Sequence, residues 1–436
     1  MGKRFSVLQV ETKSEPGKTH SDKVPQILGA SSQEFNEDFS YVDIELGLVV
    51  VCDGASSPPG GKSAAITAAK AFAHVIEMYP LPESKDNQTI GKRLLDAIRY
   101  AHQKVRERAN FVPTSDPAKT GTQTNIYPGS STTLTAAWII ERHLYYAHVG
   151  DCRIYILRNG ALCKTPLTRD HTVAADLGIT DPEQIKRSAG GNVLTQAIGH
   201  AITQPELKVM ELTEQDLILI CSDGLTKVLK EDEIESELKV EKSLKSKVDC
   251  LVSRALSKGA KDDVTVALIV PPKLISGIAV SNVVSPDFKV SILQEMEFFK
   301  SLDFSEVQTL NGIGETRVLK PREILMREGD RADSFWVILK GEVEIVENGQ
   351  GVETYGVGKC LGEGALFHEP QTRMSTVRAK SELTALILDR EDWLKLIERD
   401  NVLARKVYER AALTLSKKLN LSHHKFVAKN KLAKAG

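Results

Sequence analysis

Acidic residues stand directly beside apolar segments at four places in this 436-residue sequence. They are Asp53-Gly54 after residues 49–52, Asp151 after 148–150, Asp223-Gly224 after 217–222, and Asp262-Asp263 before 264–270. The apolar segments have the length and composition of buried strands. A carboxylate at the end of a buried strand is costly unless it is paired or bound to a metal, because the ion loses its hydration there. The repeated arrangement therefore indicates either a series of turns or a shared positive partner.

A cation site explains the four acidic positions better than four unrelated turns do. Asp-Gly is a common turn sequence, so one such position alone is well explained as a turn or cap residue. The four positions together have no matching run of Arg or Lys to neutralise them. Carboxylate and carbonyl oxygens without His or thiolate ligands suit Mg²⁺ or Mn²⁺. The sequence therefore predicts a shared Mg²⁺ or Mn²⁺ site.

The segments that must position these carboxylates predict a layered α/β domain over about residues 35–270. Helical patterns cover residues 63–79 and 91–110. Predicted strands cover residues 46–52, 132–140, 144–149, 154–157, 217–221 and 264–270. Turn signals such as Arg158-Asn159-Gly160 favour antiparallel hairpins over a doubly wound parallel sheet. Pro271-Pro272 ends the last strand, because proline cannot continue a ladder.

Eight short motifs in this region resemble, in order, those of the type 2C metal-dependent protein phosphatases. They are Asn36-Glu37-Asp38, Val51-Cys52-Asp53-Gly54, Ser131-Thr132-Thr133-Leu134, Val149-Gly150-Asp151-Cys152-Arg153, Leu167-Thr168-Arg169-Asp170-His171, Leu194-Thr195-Gln196-Ala197-Ile198-Gly199, Cys221-Ser222-Asp223-Gly224-Leu225 and Lys261-Asp262-Asp263-Val264-Thr265. Ordered motifs across a whole domain are more specific than any one of them. The resemblance implies a β-sandwich flanked by helices, with metals in a cleft at one end.

The same resemblance implies roles for individual residues. Asp53 resembles the carboxylate that bridges two metals, and Gly54 the residue that gives one metal its main-chain carbonyl. The other positions are Asp223 and Asp262 as further ligands, Asp38 with Glu37 as residues that hold metal-bound water, and Asp151 as a weaker third-metal ligand. Two such cations activate water and clamp the phosphoryl oxygens of a phosphoserine or phosphothreonine substrate. The implied activity is a protein serine/threonine phosphatase that forms no phosphoenzyme.

Two positions depart from the family pattern, and both fall in the expected catalytic cleft. Gln33 stands where the family usually has an arginine that holds the substrate phosphate, and an amide forgoes the charge-assisted bidentate contact. Ala55 follows the first Asp-Gly, where eukaryotic members often have a histidine. We therefore expect weaker phosphate binding, with Lys62 as a second candidate for the phosphate contact. The alternative function is a pseudophosphatase that binds metal or a partner without turnover.

A different pattern of predicted elements follows a predicted linker at residues 273–290. A helical segment at 291–302 precedes strand patterns at 335–339 and 342–346 and a turn at Asn348-Gly349, which is typical of a β-roll or jelly roll. A helix is predicted from an N-cap at Asp389 through residue 415. Its apolar stripe is consistent with packing over a ligand, with capping of the domain, or with a dimer contact.

The segments 361–367 and 372–379 resemble the phosphate-binding cassette of cyclic-nucleotide-binding domains, as found in catabolite-activator-like proteins and protein kinase regulatory subunits. The candidate residues are Gly362, Glu363, Gly364, Ala365, Arg373, Met374, Ser375 and Thr376. Glu363 can accept from a ribose hydroxyl, and Arg373 can pair with the cyclic phosphate. A surface ion pair between these two residues is the alternative. Met374, where cGMP-selective domains often have a hydroxyl, favours cAMP over cGMP, although Ser375 and Thr376 weaken that preference.

The fold class predicted for the whole chain is α+β: a phosphatase β-sandwich flanked by helices, followed by a β-roll (jelly-roll) domain with flanking helices. The predicted boundaries are 1–272 for the phosphatase domain, 273–290 for the linker, 291–415 for the nucleotide-binding domain with its C-terminal helix, and 416–436 for a basic tail. The expected cofactors are Mn²⁺ or Mg²⁺, two ions or three, with a cyclic nucleotide as regulatory ligand.

Composition restricts the partners and the compartment. The formal net charge is −1, which gives the molecule as a whole no electrostatic reason to bind nucleic acid. No apolar run approaches the length of a membrane span, so stable membrane insertion is not expected. The six cysteines are scattered, which is typical of small buried side chains in a reducing compartment. We expect a cytoplasmic protein that binds a phosphorylated protein and cAMP or cGMP, with a possible dimer through the C-terminal helix.

Overall fold

The structure is a computed structural model that describes residues 8–21, 36–55, 60–78, 87–109, 130–163, 165–179, 184, 190–200, 202, 204–273, 284–347, 350–367, 372–414 and 416. The chain divides into two compact units, Met1–Ile278 and Ala279–Gly436. The turn predicted at Asn348-Gly349 and the basic tail lie outside the described residues, apart from residue 416 of the tail.

The first unit contains ten strands and seven helices within its described residues. Its strands are β1 (Gln9–Glu15), β2 (Phe39–Asp43), β3 (Leu48–Cys52), β4 (Leu134–Ile140), β5 (His143–Val149), β6 (Arg153–Arg158), β7 (Ala161–Leu162), β8 (Glu206–Glu211), β9 (Leu217–Cys221) and β10 (Val264–Val270). Its helices are α1 (Lys18–Ser21), α2 (Gly60–Met78), α3 (Asn87–Ala109), α4 (Val173–Asp176), α5 (Asp223–Thr226), α6 (Glu231–Lys239) and α7 (Leu244–Ser257).

Two five-stranded sheets form the centre of the first unit, in the orders β1-β10-β9-β6-β7 and β2-β3-β4-β5-β8. All of their strand pairs are antiparallel, as predicted. β10 packs against β2 and β3, which places the two sheets face to face. Helices α2 and α3 cover one sheet, and α6 and α7 cover the other. The predicted β-sandwich flanked by helices is therefore confirmed.

Burial on both faces explains why the central strands are apolar at every position. All five residues of β3 are buried. Leu48, Val50 and Cys52 belong to the core shared with α2 and α3. Val49 and Val51 alternate with them and are also fully buried, because successive side chains of a strand point to opposite faces. An acidic residue that follows such a strand is thus held at the edge of a water-poor core.

The second unit contains two four-stranded antiparallel sheets, in the orders β11-β18-β13-β16 and β12-β17-β14-β15. Its strands are β11 (Glu315–Leu319), β12 (Ile324–Met326), β13 (Ser334–Lys340), β14 (Val343–Glu347), β15 (Gln350–Tyr355), β16 (Cys360–Leu361), β17 (Thr376–Ala379) and β18 (Leu383–Asp389). Its helices are α8 (Pro286–Glu295), α9 (Phe304–Ile313), α10 (Gly364–Phe367), α11 (Arg390–Arg399) and α12 (401–414). Side chains from both sheets, among them Trp336 and Val377, share one core.

The helices of the second unit differ from the sequence prediction in two respects. Helix α8 begins at Pro286, inside the predicted linker, because Ser285 caps it by accepting from the Phe288 amide. The helix predicted from Asp389 is interrupted at Asp400, whose carboxylate accepts from the Leu403 amide and so begins α12. The two resulting helices, α11 and α12, pack on the unit's own sheet. Their contacts are made by Trp393, Ile397, Leu403, Val407 and Ala411.

No helix within the described residues is both long enough and apolar enough to cross a membrane. All six cysteines lie within the described residues, and none forms a disulfide.

Candidate metal centre and nucleotide cassette

Strand registers bring the predicted acidic positions to one end of the sandwich. The pairs at this end are Val51–Thr135 and Leu134–Val149 in one sheet, and Arg153–Cys221 and Cys221–Val266 in the other. The two sheets meet at this end, because the Ser222 hydroxyl after β9 donates to Asp38 Oδ2 before β2 over 2.8 Å. Asp38, Asp53, Asp151 and Asp223 are thus neighbours although they are distant in sequence.

Main-chain and hydroxyl contacts fix Asp53 at the end of β3. Its amide donates to Thr133 Oγ1 over 2.8 Å. Its carbonyl accepts from the Thr132 hydroxyl and from the Thr133 amide, each over 2.8 Å. Both threonines are buried. The backbone of Asp53 is therefore satisfied locally, which leaves its carboxylate to project from a rigid turn.

The substitution Thr133→Val should destabilise the fold by about 1 kcal/mol, because the half-buried Asp53 amide loses its acceptor. Urea denaturation with chelator present measures this effect without any contribution from metal. Thr133→Ser keeps the hydroxyl and should remain much closer to wild type. Equal stability of the valine and serine variants would show that this hydrogen bond does not hold the turn.

Asp38 and Asp263 are two buried carboxylates of the same centre. Asp38 is 6% exposed, and its amide donates to Asn36 Oδ1 over 2.9 Å. Asp263 is 2% exposed and accepts from the amides of Gly17 and Glu37 over 2.9 and 2.8 Å. The sequence prediction named Asp262 of this acidic pair as a ligand. The structure shows that the adjacent Asp263 ties two distant chain segments together.

The carboxylates of the centre raise one another's pKa. Burial raises the pKa of Asp53 well above its ordinary value, and the charges of Asp38, Asp223, Asp262 and Asp151 raise it further. Burial is also the largest cause of the raised pKa of Asp38, Asp151 and Asp223, with neighbouring carboxylates adding to it. Repulsion of this kind is relieved by a bound cation.

The donor set fits a divalent ion. Asp38 Oδ1 and Asp223 Oδ1 are buried, and neither has a hydrogen-bond partner among the described atoms. A buried carboxylate oxygen without a donor is costly, so such atoms indicate a ligand. The atoms that converge here are oxygens, which suit Mg²⁺ or Mn²⁺. Asp53, Asp38, Asp223, Asp262 and Asp151 are therefore the candidate residues of a metal centre.

Lys227 also lies in this centre, and the sequence prediction missed it. Its ammonium forms ion pairs with Asp223 and, over 2.9 Å, with Asp262. Burial alone would lower the pKa of Lys227, but the charges of Asp223 and Asp262 raise it above its ordinary value. The available signal was its position four residues after Asp223, which places the two side chains on one face of a helical turn.

Close packing explains the glycines beside the centre. A Cβ on Gly54 would lie 2.4 Å from the carbonyl carbon of Gly61, and a Cβ on Gly61 would lie 2.4 Å from Glu37 Oε1. These contacts bring Glu37 and the start of α2 against the Asp53 turn. Lys62, in the first turn of α2, follows directly. Gln33, the other predicted phosphate contact, lies outside the described residues.

Asp151 is held by a glycine turn and a neutral histidine. Gly150 has φ +118°, a conformation that favours glycine. Its amide donates to Nδ1 of His171 over 3.1 Å. Burial and the neighbouring His148 lower the pKa of His171 to about 3, so the ring stays neutral and keeps its acceptor. The motif 167–171 thus supports the turn that presents Asp151, a role that the sequence prediction did not assign.

The candidate cassette of the second unit has a buried arginine at its centre. Arg373 is 8% exposed, and its Nη2 donates to the carbonyl and the hydroxyl of Ser334 over 2.7 and 3.0 Å. Burial lowers the pKa of Arg373, while the charges of Asp333 and Asp330 oppose that change. A guanidinium fixed in this way is oriented before any anion arrives.

Glycine and a short helix complete the cassette. Gly362 has φ +75°, and a Cβ there would lie 2.2 Å from Arg373 Nη1, so both conformation and space require glycine. Glu363 follows, and α10 then begins at Gly364, with the Ala365 amide donating to the Gly362 carbonyl over 2.9 Å. The structure brings Gly362 and Arg373 together across a gap in sequence.

The three cassette residues after Arg373 differ in their exposure to solvent. Met374 is 90% exposed. Ser375 is partly exposed, and Thr376 begins β17. The Thr376 hydroxyl accepts from the Glu328 amide over 3.0 Å, so this side chain already has a hydrogen-bond partner within the β-roll. Met374 is therefore largely accessible to solvent.

Two family models match the chain. Residues 30–264, more than half of the chain, match the model described as protein phosphatase 2C. Residues 316–400 match the model described as cyclic nucleotide-binding domain. A helix-flanked antiparallel sandwich with an acidic centre at one end, joined to a β-roll, is the architecture that these matches lead one to expect. The chain belongs to the protein phosphatase 2C family.

Individual relatives are similar to about a third of this chain. A serine/threonine phosphatase stp of Listeria welshimeri is 35% identical over 145 residues, which are 32% of this chain and 57% of the relative. The protein phosphatase PhpP of Streptococcus pneumoniae is 34% identical over 151 residues, 34% of this chain and 61% of the relative. The chain thus spans about three fifths of the length of these curated relatives.

Solved structures cover the same region. A serine/threonine phosphatase of S. agalactiae has 26% sequence identity and a TM-score of 0.49, covering 61% of this chain and 99% of that chain. The serine/threonine phosphatase PstP of Mycobacterium tuberculosis has 25% identity and a TM-score of 0.47, with the same coverage.

Proposed function

We propose that this chain is a Mn²⁺- or Mg²⁺-dependent protein serine/threonine phosphatase whose activity is regulated by a cyclic nucleotide bound to its second unit. One observation carries the proposal of activity: carboxylates from four separate segments converge at one end of the sandwich and raise one another's pKa. The names of the curated relatives, a serine/threonine phosphatase and a protein phosphatase, support the same reaction class.

The residues of the centre divide by position. We assign Asp53, Gly54, Asp223 and Asp262 to metal binding, with Asp151 at a further position. When bound, divalent ions of this kind supply activated water and neutralise charge on the phosphoryl group. Asp38 lies beside them, oriented by the Ser222 hydroxyl at 2.8 Å, and can hold a water or its proton.

We assign substrate binding to two residues, Lys62 and Gln33. Lys62, in the first turn of α2, is the described candidate for contact with the substrate phosphate, and Gln33 is the second. Both are neighbours in sequence of segments that carry candidate metal ligands. An amide at position 33 forgoes a charged contact, so we propose that the enzyme binds phosphate monoesters weakly.

Hydrolysis of a phosphoserine or phosphothreonine peptide, followed by phosphate release, tests this function. We expect turnover with Mn²⁺ or Mg²⁺ and its loss with chelator, because the acidic centre alone cannot activate water. Activity that survives complete removal of metal would contradict the proposal. A folded protein that binds Mn²⁺ but turns over neither phosphopeptide nor aryl phosphate would identify a pseudophosphatase instead.

The second unit supports a regulatory role. Its buried, pre-oriented Arg373 beside Gly362 suits a cyclic phosphate, and Glu363 suits a ribose hydroxyl. We propose cAMP as the preferred ligand over cGMP, because Met374 offers a thioether where a hydroxyl would contact guanine. Calorimetry with both nucleotides, beside phosphatase assays with each, measures the preference and the coupling. Equal affinities for the two nucleotides would contradict the preference.

We also propose a cellular compartment and an oligomeric state for the protein. A protein without disulfides that acts on phosphoproteins and binds a cyclic nucleotide suits the cytoplasm. A dimer through α11 and α12 is the remaining assembly proposal. The apolar stripe of these helices packs within its own unit, but Tyr408 and Leu413 are 44% and 54% exposed. Light scattering of wild type and of Leu413→Ser tests whether these side chains join two copies.

A further inference from the structure

We propose that Lys227 is a tethered cation that competes with the divalent ion for Asp223 and Asp262, and so sets the metal affinity of the centre. The inference rests on the proposed metal-dependent function. Lys227 lies between two of the candidate ligands, Asp223 and Asp262.

The contacts of Lys227 reach both carboxylates at once. The ammonium pairs with Asp223 Oδ2 and lies 2.9 Å from Asp262 Oδ2. The other oxygen of Asp223, Oδ1, is buried without a hydrogen-bond partner among the described atoms. The lysine therefore neutralises one oxygen of each carboxylate and leaves the inner oxygen of Asp223 for another ligand.

The backbone holds Lys227 in this place. It is the C-cap residue of α5, and its amide donates to the Asp223 carbonyl over 2.8 Å. The side chain is 43% exposed, so its stem has a path to water when the ammonium leaves the carboxylates. The ion pairs of Lys227 are thus formed by a side chain that can leave them when an ion enters.

Competition follows from shared lone pairs. An ammonium and a divalent ion seek the same carboxylate oxygens, and two like charges at one ligand pair repel each other. Metal entry must therefore break or weaken two charge-assisted contacts of Lys227. The cost of that step lowers metal affinity. The same contacts reduce the repulsion between Asp223 and Asp262.

Calorimetric titration with Mn²⁺ tests the inference. Lys227→Met keeps the apolar stem and removes the charge, and it should bind the first Mn²⁺ about tenfold more tightly than wild type, a change of about 1.4 kcal/mol. Lys227→Arg keeps the charge and should stay near wild type. Lys258→Met is the matched control, because Lys258 pairs with Glu233 at 2.6 Å, away from the centre, and its loss should leave Mn²⁺ affinity unchanged.

Thermal unfolding gives a second readout that does not depend on activity. With chelator, Lys227→Met should unfold at a lower temperature than wild type, because Asp223 and Asp262 lose their counter-charge. Added Mn²⁺ should raise its unfolding temperature by more than that of wild type. Should the variant fail to fold with chelator, Lys227→Gln in Mn²⁺ affords the same affinity comparison.

The outcomes separate this inference from the proposed function. Equal or weaker Mn²⁺ binding by the methionine and glutamine variants overturns the role of Lys227 while leaving the metal centre intact. A wild-type protein that binds no Mn²⁺, and whose Asp223→Asn variant behaves identically, overturns the metal centre itself. Tighter binding by Lys227→Met, with Lys258→Met unchanged, supports the competition.

Discussion

Asp53→Asn should lower the phosphatase kcat by a factor of about a thousand or more, equivalent to about 4 kcal/mol of transition-state stabilisation. Asp53 lies among the other acidic residues of the centre: burial raises its pKa, and the charges of four other carboxylates raise it further. An asparagine has the same shape but lacks the charge that holds a cation. Steady-state hydrolysis of a phosphopeptide at saturating Mn²⁺ measures the loss.

Stability measurements distinguish loss of metal from loss of fold in this variant. With chelator, Asp53→Asn should unfold at the wild-type temperature or higher, because it removes a repelled buried charge. With Mn²⁺, it should lose most of the stabilisation that the wild type gains. Asp96→Asn is the control, since Asp96 lies exposed on α3 beside Arg99 and should retain full activity. An active Asp53→Asn enzyme would remove Asp53 from the centre.

The central strands could be predicted from sequence almost to the residue. The bounds of β9 (Leu217–Cys221) and β10 (Val264–Val270) agree with the predicted 217–221 and 264–270. Both strands are buried on two faces, so hydrophobicity is continuous and ends abruptly at polar or proline residues. Their acidic neighbours could be identified for the same reason, because a charge beside such a run stands out.

Edge strands could not be predicted in this way. β1 (Gln9–Glu15) and β8 (Glu206–Glu211) each lie at the edge of a sheet and are mostly half-buried and polar. Their place depends on backbone pairing with β10 and β5, which polar side chains do not reveal. Hydrophobic periodicity therefore identifies the middle of each sheet better than its borders.

The supporting residues of the centre were missed because their partners are distant in sequence. Ser222 contacts Asp38 across 184 positions, and Asp263 contacts the Glu37 amide across 226. Residue type alone does not indicate such contacts. Lys227 is different, because its spacing of four residues from Asp223 is visible in the sequence. That spacing is also typical of an ordinary surface ion pair. Only the three-dimensional structure shows that Asp223 lies near the other carboxylates of the centre.

Arg373→Ala should weaken cAMP binding by a factor of about 100, because it removes the buried charge that we propose as the partner of the cyclic phosphate. Arg373 already donates to Ser334 over 2.7 Å, so little side-chain entropy is lost when the anion binds. Arg373→Lys should recover only part of the affinity, since a lysine lacks the planar paired donors. Calorimetry with cAMP measures both variants. Arg405→Ala, an exposed arginine of α12 that pairs with Glu409 over 3.9 Å, is the control and should bind as wild type.

The same variant tests whether the two units are coupled. A nucleotide changes the phosphatase rate only if it binds one state of the chain better than another, and the coupling cannot exceed that difference in binding free energy. Arg373→Ala should therefore lose the response of the phosphatase rate to cAMP at concentrations that saturate wild type, while Arg405→Ala keeps it. A wild-type rate that neither cAMP nor cGMP changes would contradict regulation. A response that persists in Arg373→Ala after its nucleotide binding is lost would place the effector site elsewhere.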